Sequence, residues 1–339
     1  MSIELTFYPT IAKKRQLKNL LVELGFKPTS HLWEWPKGSI HFHWFNQTDY
    51  LSYDGVEATV YSPDQGDTQR FGQCDWALHT RTRIWASPAD LDQQNYVVRI
   101  ARARFGGKFY NDSAGTNRYT KVEEDHRDAP SRGVYLAYEE IRQRLDAVRY
   151  CLPDPHPGLE KLVGTSLEPL SHVDPARVVY SALVPFGVAG IEHFFSRTFK
   201  ALVQYKPNIQ EQIAGHSRKV SLADALSIQD GTKSVLDIMV NWYSFQNLDS
   251  IQSAFDTWLD INVMKVLRQR KRIGRRVRFL DDELKRIIAA RHELIHRFQI
   301  DTGLGKQGIS DLLRSTMAVI DAFVDYLQAD KGMRIRDLR

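Results

Sequence analysis

Arg291-His292-Glu293-Leu294-Ile295-His296-Arg297 gathers two imidazoles, a carboxylate and two guanidiniums in seven residues. The spacing admits two chemistries. In the first, His296 moves protons, because an unperturbed imidazole titrates near pH ~6.5. Arg291 then stabilises a phosphoryl group, since its planar fork pairs two oxygens at once. His292 orients His296 or the phosphate. RNA supplies its own nucleophile for this scheme, the ribose 2′-hydroxyl. In the second chemistry, His292-Glu293-x-x-His296 sets two zinc ligands one helical turn apart, with Glu293 activating a bound water.

The second chemistry needs a third ligand. The extended form of the zinc motif wants Gly at 299 and His at 302, where Gln299 and Thr302 stand. No Glu follows Glu293 and no His follows His296; only aspartates remain downstream. Arg291 and Arg297 also flank the imidazoles, and adjacent cations oppose a dication. The zinc peptidase reading is therefore the less supported of the two.

A helix must position these groups. Over Leu280 to Phe298, Leu284, Ile287, Ile288, Ile295 and Phe298 fall on one wheel face, with Arg291 in its middle. His292 and His296 stack along the flank, and Glu293 points away toward solvent. A charged guanidinium on an apolar stripe is tolerated where it is paired or faces a wet cleft, as in an active site or subunit seam. Upstream, the segment from Lys265 to Arg278 carries eight basic residues and no acid: Lys265, Arg268, Arg270, Lys271, Arg272, Arg275, Arg276 and Arg278. It is either a phosphate-backbone contact surface, to which Arg297 adds a further cation, or a solvated loop or helix end.

The surrounding pattern changes once along the chain. The first half alternates short strand-like stretches (Thr6 to Thr10, Ser39 to Phe45, Glu57 to Tyr61, Trp76 to Trp85, Lys108 to Tyr110) with helical stripes at Ala12 to Leu24, Asp90 to Phe105 and Tyr135 to Tyr150. This predicts an α+β domain over residues 1–152, a small and mostly antiparallel sheet with helices. The prolines of Pro153-Asp-Pro-His-Pro-Gly158 suggest a linker over 153–174. From Pro175 the pattern is almost wholly helical: Pro175 to Tyr205, Ser221 to Ile228, Ser234 to Gln246, Leu248 to Leu259, Leu280 to Phe298 and Gly308 to Leu327. An all-α bundle is expected over 175–330, followed by a frayed basic tail, 331–339.

Composition bounds the rest. The 339 residues suit two domains, and 42% hydrophobic with 26% charged residues is an ordinary globular balance. Net charge +5 is mildly basic. Cys74 and Cys151 form no disulfide framework. No run of 18 apolar residues predicts a membrane span, and Met1 to Thr10 does not read as a signal peptide, so a cytoplasmic location is expected.

The C-terminal half, roughly residues 175 to 328, resembles the HEPN ribonuclease family. Arg291, His292 and His296 match its Arg-x4-6-His motif, which sits on a late helix and usually carries Asn, Asp or His directly after the Arg. Phe245-Gln-Asn247 looks like the Phe-x-Asn stretch that precedes the motif helix in one subgroup. Gly190-Ile-Glu-His-Phe-Phe195 resembles the first long helix of that subgroup, with its inward Glu. The resemblance implies an up-down helical bundle, a homodimer with motifs meeting across the seam, and metal-independent endonuclease cleavage with no cofactor. It also implies 2′,3′-cyclic phosphate and 5′-hydroxyl ends, and a setting in toxin–antitoxin or antiviral defence, with an antitoxin or phage-derived trigger as a further partner beside RNA. The alternative is a bundle kept for RNA binding or dimerisation without catalysis. Phe298 stands where some relatives carry a modifiable Tyr, so that form of regulation is not implied here.

The N-terminal half resembles no family and is read as a sensing or target-recruiting domain. Its tryptophans (Trp33, Trp35, Trp44, Trp76, Trp85) suggest a core, with a base-stacking platform as the alternative. His41 and His43 share a strand face as structural residues or a weak ligand pair. Gly106-Gly107 beside Arg99, Arg102 and Arg104 is a helix stop or an anion approach.

Overall fold

A computed structural model describes residues 2–30, 35–162, 165–167, 174–218, 220–273, 276–297 and 304–336; of Glu160, His296 and Arg297 it describes the backbone alone. The chain divides into two compact units, Met1–His126 and Arg127–Arg339.

The first unit runs β1 (Ser2–Tyr8), α1 (Lys14–Glu23), β2 (Lys27–Thr29), β3 (Ile40–Trp44), β4 (Val56–Tyr61), α2 (Gln65–Phe71), β5 (Ala77–Arg83), α3 (Pro88–Phe105) and β6 (Lys108–Asn111). The strands form one sheet in the order β2-β3-β4-β5-β1-β6. Every pairing is antiparallel, as the alternation predicts. Alternate residues Leu5, Phe7, Phe42, Val56, Val60, Leu78 and Phe109 face Leu17, Leu20, Leu21, Val97 and Val98 of α1 and α3 in one buried cluster. A capping box of Ser87 and Asp90 starts α3, and Gly106 ends it. Gly107, at φ +105°, lies so close to β1 that a Cβ would meet the Tyr8 carbonyl at 2.2 Å. The glycine pair is thus a helix stop pressed on a strand.

The tryptophans divide by face. Trp44 and Trp76 pack on the core, whereas Trp35 touches the rings of Tyr61, His41 and His79 on the opposite face. Trp85 is exposed beneath Arg83. Trp33 lies outside the described residues.

The second unit runs α4 (Ala129–Tyr150), α5 (Pro157–Glu160), α6 (Pro175–Gln204), α7 (Ile209–Ala214), α8 (Leu222–Gln229), α9 (Val235–Asn241), α10 (Leu248–Leu259), α11 (Val263–Leu267), β7 (Arg270–Ile273), β8 (Arg276–Phe279), α12 (Leu280–Arg297) and α13 (Lys306–Lys331). Three expectations need correction here. First, α4 does not close the sheet domain. Its stripe of Val134, Ala137, Tyr138, Ile141 and Leu145 is buried along α6 and α13, so the boundary falls at His126 and not at 152. Second, the proline segment is anchored within this unit. The Pro153 carbonyl accepts from the Tyr180 hydroxyl (2.5 Å), and Asp154 accepts from Lys306 (2.6 Å). Third, the tail is packed. Ile335 is fully buried, and Arg336 pairs with Asp321 and Asp325. Residues 337–339 lie outside the described ones.

Helix α6 is the bundle's axis and packs on α4, α12 and α13. Its apolar length meets the composition of a membrane span, yet half of that window is buried by the other helices. Rings of Phe194, Phe195, Phe199, Phe255 and Phe323 join α6, α10 and α13 edge to face.

Candidate functional site

Helix α12 opens with Asp281, Asp282 and Glu283. It carries Arg291 and His292 toward the other end, with Arg297 last. Acids first and cations last suit the helix dipole, so part of this charge order is structural. Leu284 and Ile287 are fully buried, Ile288 and Arg291 half-buried, and Ile295 is 44% exposed. The stripe expected along the whole helix is therefore fully buried only in its first turns among the described side chains. Among the described residues Arg291 has no hydrogen-bonding or ion-pairing partner. His292 and Glu293 are exposed. The His296 and Arg297 side chains and all of Phe298 lie outside the described set.

Contacts along the helices show what stands near Arg291. Gly187 of α6 lies against Leu312 and Thr316 of α13, and Phe194 meets Phe323 farther on, so α6 and α13 run parallel. The Ser315 hydroxyl donates to Glu283 (2.9 Å), and α12 ends at Arg297, nine positions before α13 starts at Lys306, so α12 runs antiparallel to both. The C-terminal turns of α12, the start of α13 and the first turns of α6 thus share one end of the bundle. Val178 and Val179 of α6 and Ile295 are exposed at that end.

The basic segment folds as a structure that its charge pattern did not suggest. Lys265 sits on α11, Arg268 just after it, and the remaining described cations lie on a two-stranded antiparallel ribbon, β7 with β8. Arg275, between the strands, lies outside the described residues. Cross-strand pairs sort the cations by face. Arg270 stands opposite Phe279 and Arg272 opposite Val277, giving an exposed face on which the Arg270 guanidinium lies over the Phe279 ring at 4.6 Å. On the other face Ile273 is buried, Lys271 reaches Asp325 (3.8 Å) and Arg278 pairs with Glu283 (2.5 Å). Lys271 and Arg278 are thus engaged internally, whereas Arg268, Arg270, Arg272 and Arg276 are exposed. The ribbon adjoins the N-terminal end of α12, so twelve residues of helix, about 18 Å, separate Phe279 from Arg291. Nearness in sequence does not make the ribbon a wall of the motif.

Glu283 was missed as a central residue. It is 4% exposed and accepts from Arg278, Arg286 and Ser315. Burial by itself would raise its carboxyl, but the bonds from Arg286, Arg278 and Ser315 outweigh burial and hold it below the usual carboxylate range. In sequence Glu283 is one acid among three in a helix's first turn, and its burial is visible only once α13 is in place.

The two segments that resemble the motif's usual surroundings do meet. Glu192 of α6 accepts from the Gln246 amide (2.9 Å), Phe245 is buried, and Asn247 caps α10 through the Ser250 N–H.

A second polar constellation was also missed. On the sheet face opposite α1 and α3, a transverse row runs His41, Thr59, His79, Thr6, Tyr110 across five strands. His41 bonds Thr59 (3.0 Å), and Thr6 bonds both His79 (3.0 Å) and Asp112 (2.7 Å). Asp67 of α2 accepts from Tyr8 (2.9 Å) and Tyr61 (3.3 Å). Burial pushes the His79 imidazole down and the Tyr8 and Tyr61 hydroxyls up, which keeps all three neutral. Each group is satisfied by a neighbour, the pattern of a buried polar layer. Likewise His43 bonds the Asp54 carbonyl (3.2 Å), so His41 and His43 hold structure and do not converge.

Among the described residues no three His, Cys, Asp or Glu side chains cluster as metal ligands. No family model, curated protein or solved structure matches the chain.

Proposed function

We infer that this chain is a metal-independent endoribonuclease of the HEPN type, acting as a homodimer through the helical unit. The observation that carries the reading is Arg291. It is half-buried, without a partner among the described residues, and five positions before His296 on the next-to-last helix of the bundle. The contact between Glu192 and Gln246 and the position of Phe245 and Asn247 add support. In the proposed reaction His296 takes or returns the proton at the 2′-hydroxyl and the leaving 5′-oxygen. Arg291 stabilises the phosphorane oxygens, and His292 orients the imidazole or the phosphate. The products carry 2′,3′-cyclic phosphate and 5′-hydroxyl ends. Exposed Val178, Val179 and Ile295 supply apolar surface for a second copy beside the motif. The sheet unit then senses a trigger or recruits the target, in the setting of a toxin or antiviral effector.

The test is cleavage of a broad RNA panel by the purified chain in EDTA. Arg291→Ala and His296→Ala each lower the rate by about 10²–10⁴-fold, the contribution of one acid–base or electrostatic group. Glu293→Ala leaves it unchanged. Undiminished cleavage by both of the first two variants sinks the assignment, and strict dependence on zinc with loss in Glu293→Ala revives the peptidase-type site.

One observation favours a second reading, RNA binding without cleavage. The exposed Arg270, Arg272 and Phe279 face of the ribbon can hold a strand without Arg291. Tight binding with no cleavage across the panel selects it.

A further inference from the structure

Arg177, in the first turn of α6, is 5% exposed. Its Nε and Nη1 are sealed from solvent and have no hydrogen-bond partner among the described residues. One turn on, the Ser181 hydroxyl is buried in the same condition; it does not make the common bond back to the carbonyl four residues earlier. A guanidinium cannot relieve burial by losing its proton, as a lysine can, so it needs an anion. Among the described residues, the acids nearest in sequence or joined to the same segment bond other groups. Asp174 accepts from the Ala176 N–H (3.0 Å) and the His156 N–H (3.1 Å), and Asp154 accepts from Lys306. Leaving such a cation unpaired costs several kcal/mol, which a core position gains nothing by carrying. The end of the bundle where this occurs is the end that holds Arg291.

We propose that Arg177 and Ser181 form a phosphate-binding subsite at the motif end of the bundle. A tetrahedral phosphate offers enough oxygens to accept from Nε, Nη1 and the Ser181 hydroxyl together. In a site shielded from water these charge-assisted bonds are at their strongest. The choice of phosphate as the anion rests on the ribonuclease reading, where the subsite would hold a phosphate of the bound strand. A free phosphate offers the same chemistry.

Thermal melting of the full chain tests this without any catalysis, so failure of the nuclease reading does not decide it. Inorganic phosphate is titrated against sodium chloride of equal ionic strength. The wild-type midpoint rises with phosphate. Arg177→Met, which removes the charge and keeps most of the volume, melts no lower than wild type without phosphate and loses the phosphate-dependent rise. Ser181→Ala folds with little change and weakens the apparent phosphate affinity about tenfold, the value of one hydrogen bond to a charged group. A second arm measures binding of a 2′-O-methyl RNA that cannot be cleaved. Loss in Arg177→Met assigns the phosphate to the strand, and retained RNA binding with a lost phosphate response assigns it to a free phosphate. No phosphate response in wild type, or an equal response in Arg177→Met and Ser181→Ala, overturns the proposal. So does an Arg177→Met variant that only turns a dimer into a monomer, which would make the missing anion a carboxylate of the second copy.

Discussion

Glu283 shows how one buried carboxylate organises the cations around it. Three side chains donate to it from three elements, Arg278 from the ribbon, Ser315 from α13 and Arg286 one turn along its own helix. Its depressed folded value has a definite sign in stability. The contribution is complete above the unfolded carboxyl value near pH ~4.3 and is lost as pH falls through the lower folded value. Glu140, bonded by His193 and Arg197, and Asp237, lowered to about 2 with Lys200 and Ser234 on it, act in the same direction. Glu283→Gln keeps the shape and one acceptor but loses the charge that two guanidiniums were bonded to. It should cost about 2–3 kcal/mol at pH 7 and flatten the acid limb of the melting profile between pH 6 and pH 3. An acid limb as steep as wild type would mean that Glu140 and Asp237 account for the loss by themselves. At this scale the sequence was partly readable. Arg291 stands out because a charge interrupts an apolar stripe. Arg177 does not, because an arginine near a helix start looks like any surface residue until the fold buries it.

The basic ribbon makes the corresponding point for elements. Eight cations in fourteen residues mask an alternation in which Ile273 faces inward while Val277 and Phe279 accompany Arg270 and Arg272 outward. Strand periodicity is legible when one face is apolar, as in Val56–Tyr61, and illegible when arginines occupy both faces. β1 starts at Ser2 rather than Thr6, and its outer positions Ser2, Glu4 and Thr6 are polar, so only alternate residues mark its inner face. Short β2 and α2 carry too few apolar residues to register at all. The sorting of cations by face predicts different consequences for neighbouring substitutions. Arg270→Ala with Arg272→Ala should weaken single-stranded RNA binding and reduce the slope of log affinity against log salt by about 1.4, about 0.7 for each phosphate no longer neutralised, with the melting point unchanged. Arg278→Ala should instead lower the melting point, because it strips a partner from buried Glu283. Filter binding from 50 to 300 mM salt beside thermal melts separates the two. An unchanged slope in the double variant would remove the ribbon from the RNA surface.

For the whole molecule, the boundary between units governs which pieces can fold. Prolines at 153, 155 and 157 mark where a helix must stop, yet they carry no information about which side the preceding helix packs on. That is decided by the apolar stripe of α4, with Val134, Ala137, Ile141 and Leu145 against α6. Removing α4 uncovers the α6 surface beneath these side chains. At ~1.5–3 kcal/mol for each large side chain the loss is on the order of 5–10 kcal/mol, comparable with the entire stability of an ordinary domain. The anchored tail adds to this, since Arg334 N–H donates to Ser131 and the Ile335 carbonyl accepts from Arg127. A chain of residues 127–339 should therefore express as a soluble helical protein with one cooperative melt. A chain of residues 153–339, cut at the proline segment, should aggregate or melt without a transition. Circular dichroism and size-exclusion chromatography on the two pieces decide the matter. Equal, cooperative folding of both would return α4 to the sheet unit. If 127–339 also retains RNA cleavage, the sheet unit is confined to directing or restraining the helical one. If cleavage requires residues 1–126, the sheet unit acts by recruiting the target to the helical one.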